Sequence, residues 1–153
     1  MSTNRPSFAK IWPAGFKAMQ AFSAAVADSG LDKTVSELIK IRASQLNGCA
    51  FCLDMHVRDA AALGETPQRL ALVAAWREAK DVFTEAERAA LALTEAVTNV
   101  NHGPVPDEVY EQAVRALGEE TVTKAVYAIV AINAWNRLNV VQPLPFEVEH
   151  PHA

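Results

Sequence analysis

The sequence predicts a single all-α domain, and three observations carry that expectation. Half of the 153 residues are hydrophobic, with Ala, Leu and Val prominent, which is enough to bury one continuous core. Apolar residues recur at helical spacing along most of the chain. Helix stop and start signals divide it into lengths a helix can use, at Ser29-Gly30, Asn47-Gly48, Gly64, Thr66-Pro67, Thr84, Pro106 and Gly118.

The first segment, Pro6 to about Ser29, sets Phe8, Ile11, Phe16, Met19, Phe22 and Val26 in a helical pattern that Pro13 should break or kink. A second helix is expected from about Asp32, with Val35, Leu38, Ile39, Ala43 and Leu46 on one stripe and Arg42 as its polar exception. Asn47-Gly48 ends it, because both residues tolerate a left-handed C-cap, and a third helix can begin at once with Cys49 in its first turn and run to Leu63-Gly64. Thr66 as N-cap and Pro67 at the first helical position open a fourth, carrying Leu70, Leu72, Val73 and Trp76. Thr84 and Glu87 form a capping box for a helix to about Asn99. The stretch Asn101 to Pro106 is the clearest break, and Pro106-Asp107-Glu108 starts a helix that stops at Gly118. The last helix spans about Glu120 to Leu138. Its centre, Ala125 to Trp135, is apolar on nearly every face and is expected to be either the central core helix or part of a subunit interface. Beyond it, three prolines and no helical period predict an extended arm or a frayed end.

Charge and composition narrow the function. The net charge of −4 comes from interspersed acids and bases, with no Lys/Arg run to neutralise a phosphate backbone, so no nucleic-acid partner is expected. The first residues show no apolar h-region with a cleavage site, and nowhere do eighteen apolar residues follow one another. A soluble, cytoplasmic protein with no membrane partner is the expectation. Two cysteines in such a setting are seldom a structural staple, which turns attention to their chemistry.

Those cysteines, Cys49 and Cys52, stand in a CxxC spacing with His56 four residues after the second and Glu37 twelve before the first. On a helix, Cys52 lies about 60° from Cys49 and His56 about 40° from Cys52, so one substrate can meet all three. A thiol near a helix N-terminus sees the positive end of the dipole, and an imidazole one turn away can accept its proton. By the dipole alone Cys49 would be the more acidic thiol. Glu37, on the preceding helix, can fold back across Asn47-Gly48 as a proton acceptor or as the group that orients His56.

Glu37, Cys49-Ala-Phe-Cys52 and His56, within RASQLNGCAFCLDMH and with TPQRL, AAWREA, ERAALALTEAVT and AINAWNR elsewhere, resemble the alkylhydroperoxidase AhpD-like branch of the carboxymuconolactone decarboxylase superfamily. The resemblance covers roughly residues 30–140 and is to short single-domain members. It implies one compact helical domain of about six to seven helices over residues 1–153, with 141–153 as a tail. It also implies assembly through apolar helices as a homo-oligomer, often a hexamer built of dimers. The implied activity is that of a thiol peroxidase: Cys52 peroxidatic, Cys49 resolving, Glu37 and His56 a proton relay, with a hydroperoxide substrate and an external thiol or adaptor protein as reductant. No cofactor or metal is expected. Phe51 stands where the best-known peroxidase of the family has a histidine, so a second imidazole is absent, and the decarboxylases of the superfamily lack the CxxC pair.

Other readings of the same residues belong beside this one. The cysteines can be buried small hydrophobes. Glu37, Cys49, Cys52 and His56 can be a zinc ligand set, or the pair a redox sensor in a non-enzymatic oligomer. A lactone decarboxylase or hydrolase of the wider superfamily is a third class. Asp59 can bond the ring of His56 or be a solvated acid. Asn133, Trp135 and Asn136 can line a pocket or pack, and Asn133 needs a partner in so apolar a run. His102, His150 and His152 receive no role.

Overall fold

The computed structural model describes residues 5–148. It contains eight α-helices: α1 (Phe8–Ile11), α2 (Pro13–Ala27), α3 (Lys33–Asn47), α4 (Ala50–Ala62), α5 (Pro67–Leu72), α6 (Glu85–Thr98), α7 (Asp107–Leu117) and α8 (Glu119–Val141). Single 3-10 turns extend α5 over Val73–Ala75 and follow α6 over Val100–His102, and no strand occurs among the described residues. The count exceeds six to seven because Pro13 breaks the first segment outright: α1 is one turn, and Pro13 opens α2 at a position whose N–H needs no partner.

The helix boundaries follow from local chemistry. Asp32 caps α3 by accepting from the Val35 N–H at 2.9 Å, and Gly48 ends it in the left-handed conformation, φ +65°. Thr66 caps α5, and Thr84 with Glu87 forms the complete capping box of α6. Residues 142–148 have no regular structure; the end of the expected arm, with His150 and His152, lies outside the described residues.

The centre of the molecule is α3, against which α4, α6 and α8 all pack. Its apolar residues therefore serve three clusters on different sides. Val35 and Ile39 join Leu93, Val122 and Ile129; Leu38 and Ile41 join Val73, Trp76, Phe83 and Leu91; Ala43 joins Cys49, Cys52 and Ile132. Each fully buried Leu or Ile contributes about 1.5–3 kcal/mol, so a helix buried on three sides holds its neighbours in fixed register. Arg42 is tied to Glu95 of α6 at 2.8 Å, and the same carboxylate accepts from Trp76 Nε1 at 2.8 Å.

The last helix packs against α2, α3, α4, α6 and α7 and leaves one face uncovered. Val122, Ala125, Ala128, Ile129 and Ile132 are buried, while Tyr127 and Val130 stand exposed on the opposite face. No helix among the described residues is long and apolar enough to cross a membrane.

Candidate active site

The two helices that the CxxC segment joins supply the site. Gly48 turns the chain, and Cys49 follows as the N-cap of α4, one residue before the helix that the sequence places it in. Its Sγ accepts the Cys52 N–H at 3.4 Å. Cys49 and Cys52 are joined as a disulfide, with their Cα atoms 5.4 Å apart. Cys52, His56 and Ala60, four residues apart in turn, form the buried stripe of α4 that faces α3 and α8.

Glu37 reaches His56 from α3, as the turn at Gly48 allows. Its Oε2 lies 2.9 Å from His56 Nδ1, and its Oε1 holds the Lys40 ammonium. Burial pushes the Glu37 carboxyl up, but the hydrogen bonds from His56 and Lys40 outweigh it and hold the group below its ordinary value. An ionised Glu37 can only accept, so Nδ1 carries the proton and Nε2 is the basic nitrogen. Asp59 does not compete for the ring. Its nearest oxygen is 3.7 Å from Nδ1, and its side chain is 56 % exposed.

Both cysteines are buried, Cys49 at 3 % and Cys52 at 1 % exposure, yet they are not equivalent. A pocket of about 670 Å³ opens beside the pair, and Cys52 and His56 line it while Cys49 and Glu37 do not. Its walls are mainly apolar: Phe16 and Val26 of α2, Phe51 and Met55 of α4, Ile132 and Trp135 of α8. At its mouth the first described residues meet the end of α8, where Gln142 accepts the Phe8 N–H at 3.0 Å and donates to the Pro6 carbonyl at 2.9 Å. Glu37 borders a second, smaller hollow with Lys40 and Asp59. The His56–Glu37 pair therefore bridges two spaces.

The asparagines of α8 separate by depth. Asn133 donates to Thr98 Oγ1 at 3.0 Å and accepts from Asn47 at 2.9 Å; Asn136 donates to Ser44 Oγ at 3.1 Å and also accepts from Asn47 at 2.9 Å. These two cross-link α8 to α3 and α6 away from the pocket, whereas Trp135 does line it, with Nε1 bonded to Ser23 at 2.7 Å. Asn139, absent from the sequence-predicted site, lines the pocket and points its Nδ2 at Cys52 Sγ, 3.4 Å away. The available signal is the three-residue recurrence Asn133, Asn136, Asn139 along one helix face.

The zinc alternative asks Glu37, both sulfurs and His56 to converge. The group of donors that does converge among the described residues is Glu37, His56 and Asp59, within 4.8 Å of one another, and it leaves both sulfurs out.

Known proteins resemble this chain in sequence and fold. The sequence model of the Carboxymuconolactone decarboxylase family matches residues 13–96. The uncharacterized protein YdfG of Bacillus subtilis is 42% identical over 138 residues, an overlap of 90% of this chain and 93% of that one. A crystal structure of an Agrobacterium tumefaciens protein of unknown function, described as a candidate AhpD antioxidant-defence protein, superposes with a TM-score of 0.90. It is 41% identical and covers 95% of this chain and 99% of that chain.

Proposed function

The chain belongs to the carboxymuconolactone decarboxylase family, in its AhpD-like branch, and on that premise we propose that it is a thiol-dependent peroxidase acting on alkyl hydroperoxides. One observation carries the reading: of the two cysteines, Cys52 alone lines the pocket, beside a histidine whose proton is fixed on Nδ1 by Glu37.

The chemistry balances with those groups. In the reduced protein, Nε2 of His56 takes the Cys52 proton, and the thiolate attacks the outer oxygen of ROOH. The O–O bond breaks, the S–O bond forms, and the leaving RO⁻ takes the proton back from His56 as ROH. Cys52 is then a sulfenic acid, oxidised by two electrons. The Cys49 thiolate attacks its sulfur, the disulfide closes, and hydroxide leaves with a proton as water. An external dithiol, free or carried on an adaptor protein, returns both cysteines to thiols and is itself oxidised. It meets the pair from the Cys52 side, since that is the cysteine that lines the pocket. The apolar walls favour a substrate with a hydrocarbon body. No cofactor enters this scheme. The residues act within a homo-oligomer, for which the exposed Tyr127 and Val130 of α8 supply an apolar surface.

Thiol counting tests the scheme. The reduced protein should lose both thiols with one equivalent of cumene hydroperoxide, and Cys49→Ser should stop at a sulfenic acid that dimedone traps. Retention of both thiols in the native chain sinks the proposal. Turnover of a lactone that survives loss of both cysteines would replace it with a decarboxylase or hydrolase.

A further inference from the structure

We propose that Asn139 is a third catalytic group at the Cys52 sulfur, a fixed amide donor that stabilises the thiolate. The proposal rests on the peroxidase reading for its purpose but on geometry for its substance.

Nδ2 of Asn139 lies 3.4 Å from Cys52 Sγ, across 87 residues of sequence, and Asn139 shares the pocket wall with Cys52 and His56. Its helix is anchored immediately upstream. Asn136 and Asn133, at the two preceding positions of the same stripe, are bonded to Ser44, Thr98 and Asn47, so α8 cannot slide relative to α3. The amide is thereby aimed before any substrate arrives, which is the condition for a donor to stabilise charge at no reorganisation cost.

A disulfide sulfur is a weak acceptor and a thiolate a strong one, so the bond to Asn139 strengthens on reduction, in the state that attacks peroxide. Other forces on that sulfur are partial. Cys52 sits in the first turn of α4, where the dipole favours an anion. Among the described residues, the titratable groups on the pocket are Cys52, His56 from α4 and Lys40 from α3; Glu37 lies behind His56, and α2 and α8 present none. The Lys40 ammonium is held by Glu37, which limits what it offers the sulfur. Phe51, the residue next to Cys52, carries no donor. An uncharged donor suits this position, because it raises the thiolate fraction without holding a proton that the alkoxide would have to compete for.

The test reads the thiol itself. In a Cys49→Ser background, the Cys52 pKa is followed by thiolate absorbance at 240 nm and by the pH dependence of iodoacetamide alkylation. Asn139→Ala should raise that pKa by about one pH unit, the difference between a hydrogen bond to an anion and one to a neutral group. Asn139→Asp, which places an anion at the sulfur, should raise it further. In the two-cysteine protein, Asn139→Ala should slow peroxide-driven thiol loss about tenfold at pH 7 and recover at alkaline pH as the thiolate refills. Unchanged circular dichroism and thermal midpoint show that the variants fold. A Cys52 pKa that is unchanged from the Cys49→Ser parent in folded Asn139→Ala and Asn139→Asp overturns the proposal. A shifted pKa in a protein that consumes no peroxide upholds it and removes the peroxidase reading instead, so the two failures are distinguishable.

Discussion

Glu37 is held in its ionised form by the donors around it. Its folded-state carboxyl sits below the ordinary value of 4.5, with burial opposing and His56 and Lys40 prevailing. Glu95 is likewise lowered, burial again opposing and the Trp76, Arg42 and Arg77 donors prevailing. A depressed folded value means that each carboxylate contributes stability that is fully present above about pH 4.5 and is lost as the pH falls through its folded value. Glu95→Gln, which leaves Arg42 without its ionic partner, should cost about 2–3 kcal/mol at pH 7 by urea denaturation. That cost should shrink as both proteins are taken below pH 4.5; a pH-independent difference would contradict the assignment. Glu37→Gln removes the anion that fixes the His56 tautomer, and single-turnover thiol oxidation at pH 7 should fall by about 10–100-fold. A rate within twofold of wild type would take Glu37 out of the relay. At this scale the sequence is partly legible. Cys49, Cys52 and His56 are readable because local helix spacing relates them, and Glu37 through the resemblance and one turn. Asn139 is not, since its partner lies 87 positions away and nothing local marks which asparagine of α8 will meet a sulfur.

The elements are legible wherever an end has its own chemistry. Asp32, Gly48, Thr66, Thr84 and Gly118 each set a boundary by a cap or a turn within a few residues of itself. Cys49 is the instructive miss: a thiol at a helix start reads as first turn, but its sulfur accepts the Cys52 N–H and so makes it the cap. Gly48 joins the two halves of the site, and its φ of +65° rather than crowding is what demands glycine, because a Cβ there would meet nothing within 4 Å. Gly48→Ala should therefore destabilise the protein by about 1–2 kcal/mol, and Gly48→Asn by less, since Asn visits the left-handed region more readily. Equal urea midpoints for Gly48→Ala and wild type would show that the turn relaxes elsewhere. Which helix sits at the centre is beyond the reach of periodicity. The apolar run of α8 marks it as a core helix, and it packs against five others, yet α3, with Glu37, Lys40, Arg42 and Ser44 among its apolar residues, is equally central, with α4, α6 and α8 all packed against it. Glu37, Arg42 and Ser44 are matched by partners on other helices, which no single stripe can announce.

For the whole molecule, the unexplained surface is apolar. Tyr127 and Val130 on α8 are exposed at 57 % and 46 %, and Ile11 and Trp12 near the start of α2 are exposed as well. As an oligomer the protein should give a light-scattering mass that is a multiple of 16.6 kDa, six-fold for a trimer of dimers, and Val130→Glu should lower it. A monomer at micromolar concentration would mean that this face has another use. Within one molecule, the cap at the start of α4 has a thermodynamic consequence. The sulfur that completes the helix is also the sulfur that gains or loses electrons, so folding and reduction are two edges of one closed cycle. Any difference in unfolding free energy between the oxidised and the reduced chain must reappear as a difference in midpoint potential between the folded and the unfolded one, about 30 mV for each 1.4 kcal/mol. Substitutions in the first turn of α4 that never touch peroxide are then electrochemical mutations, and a helix-capping preference becomes a setting on the driving force that the reductant must supply.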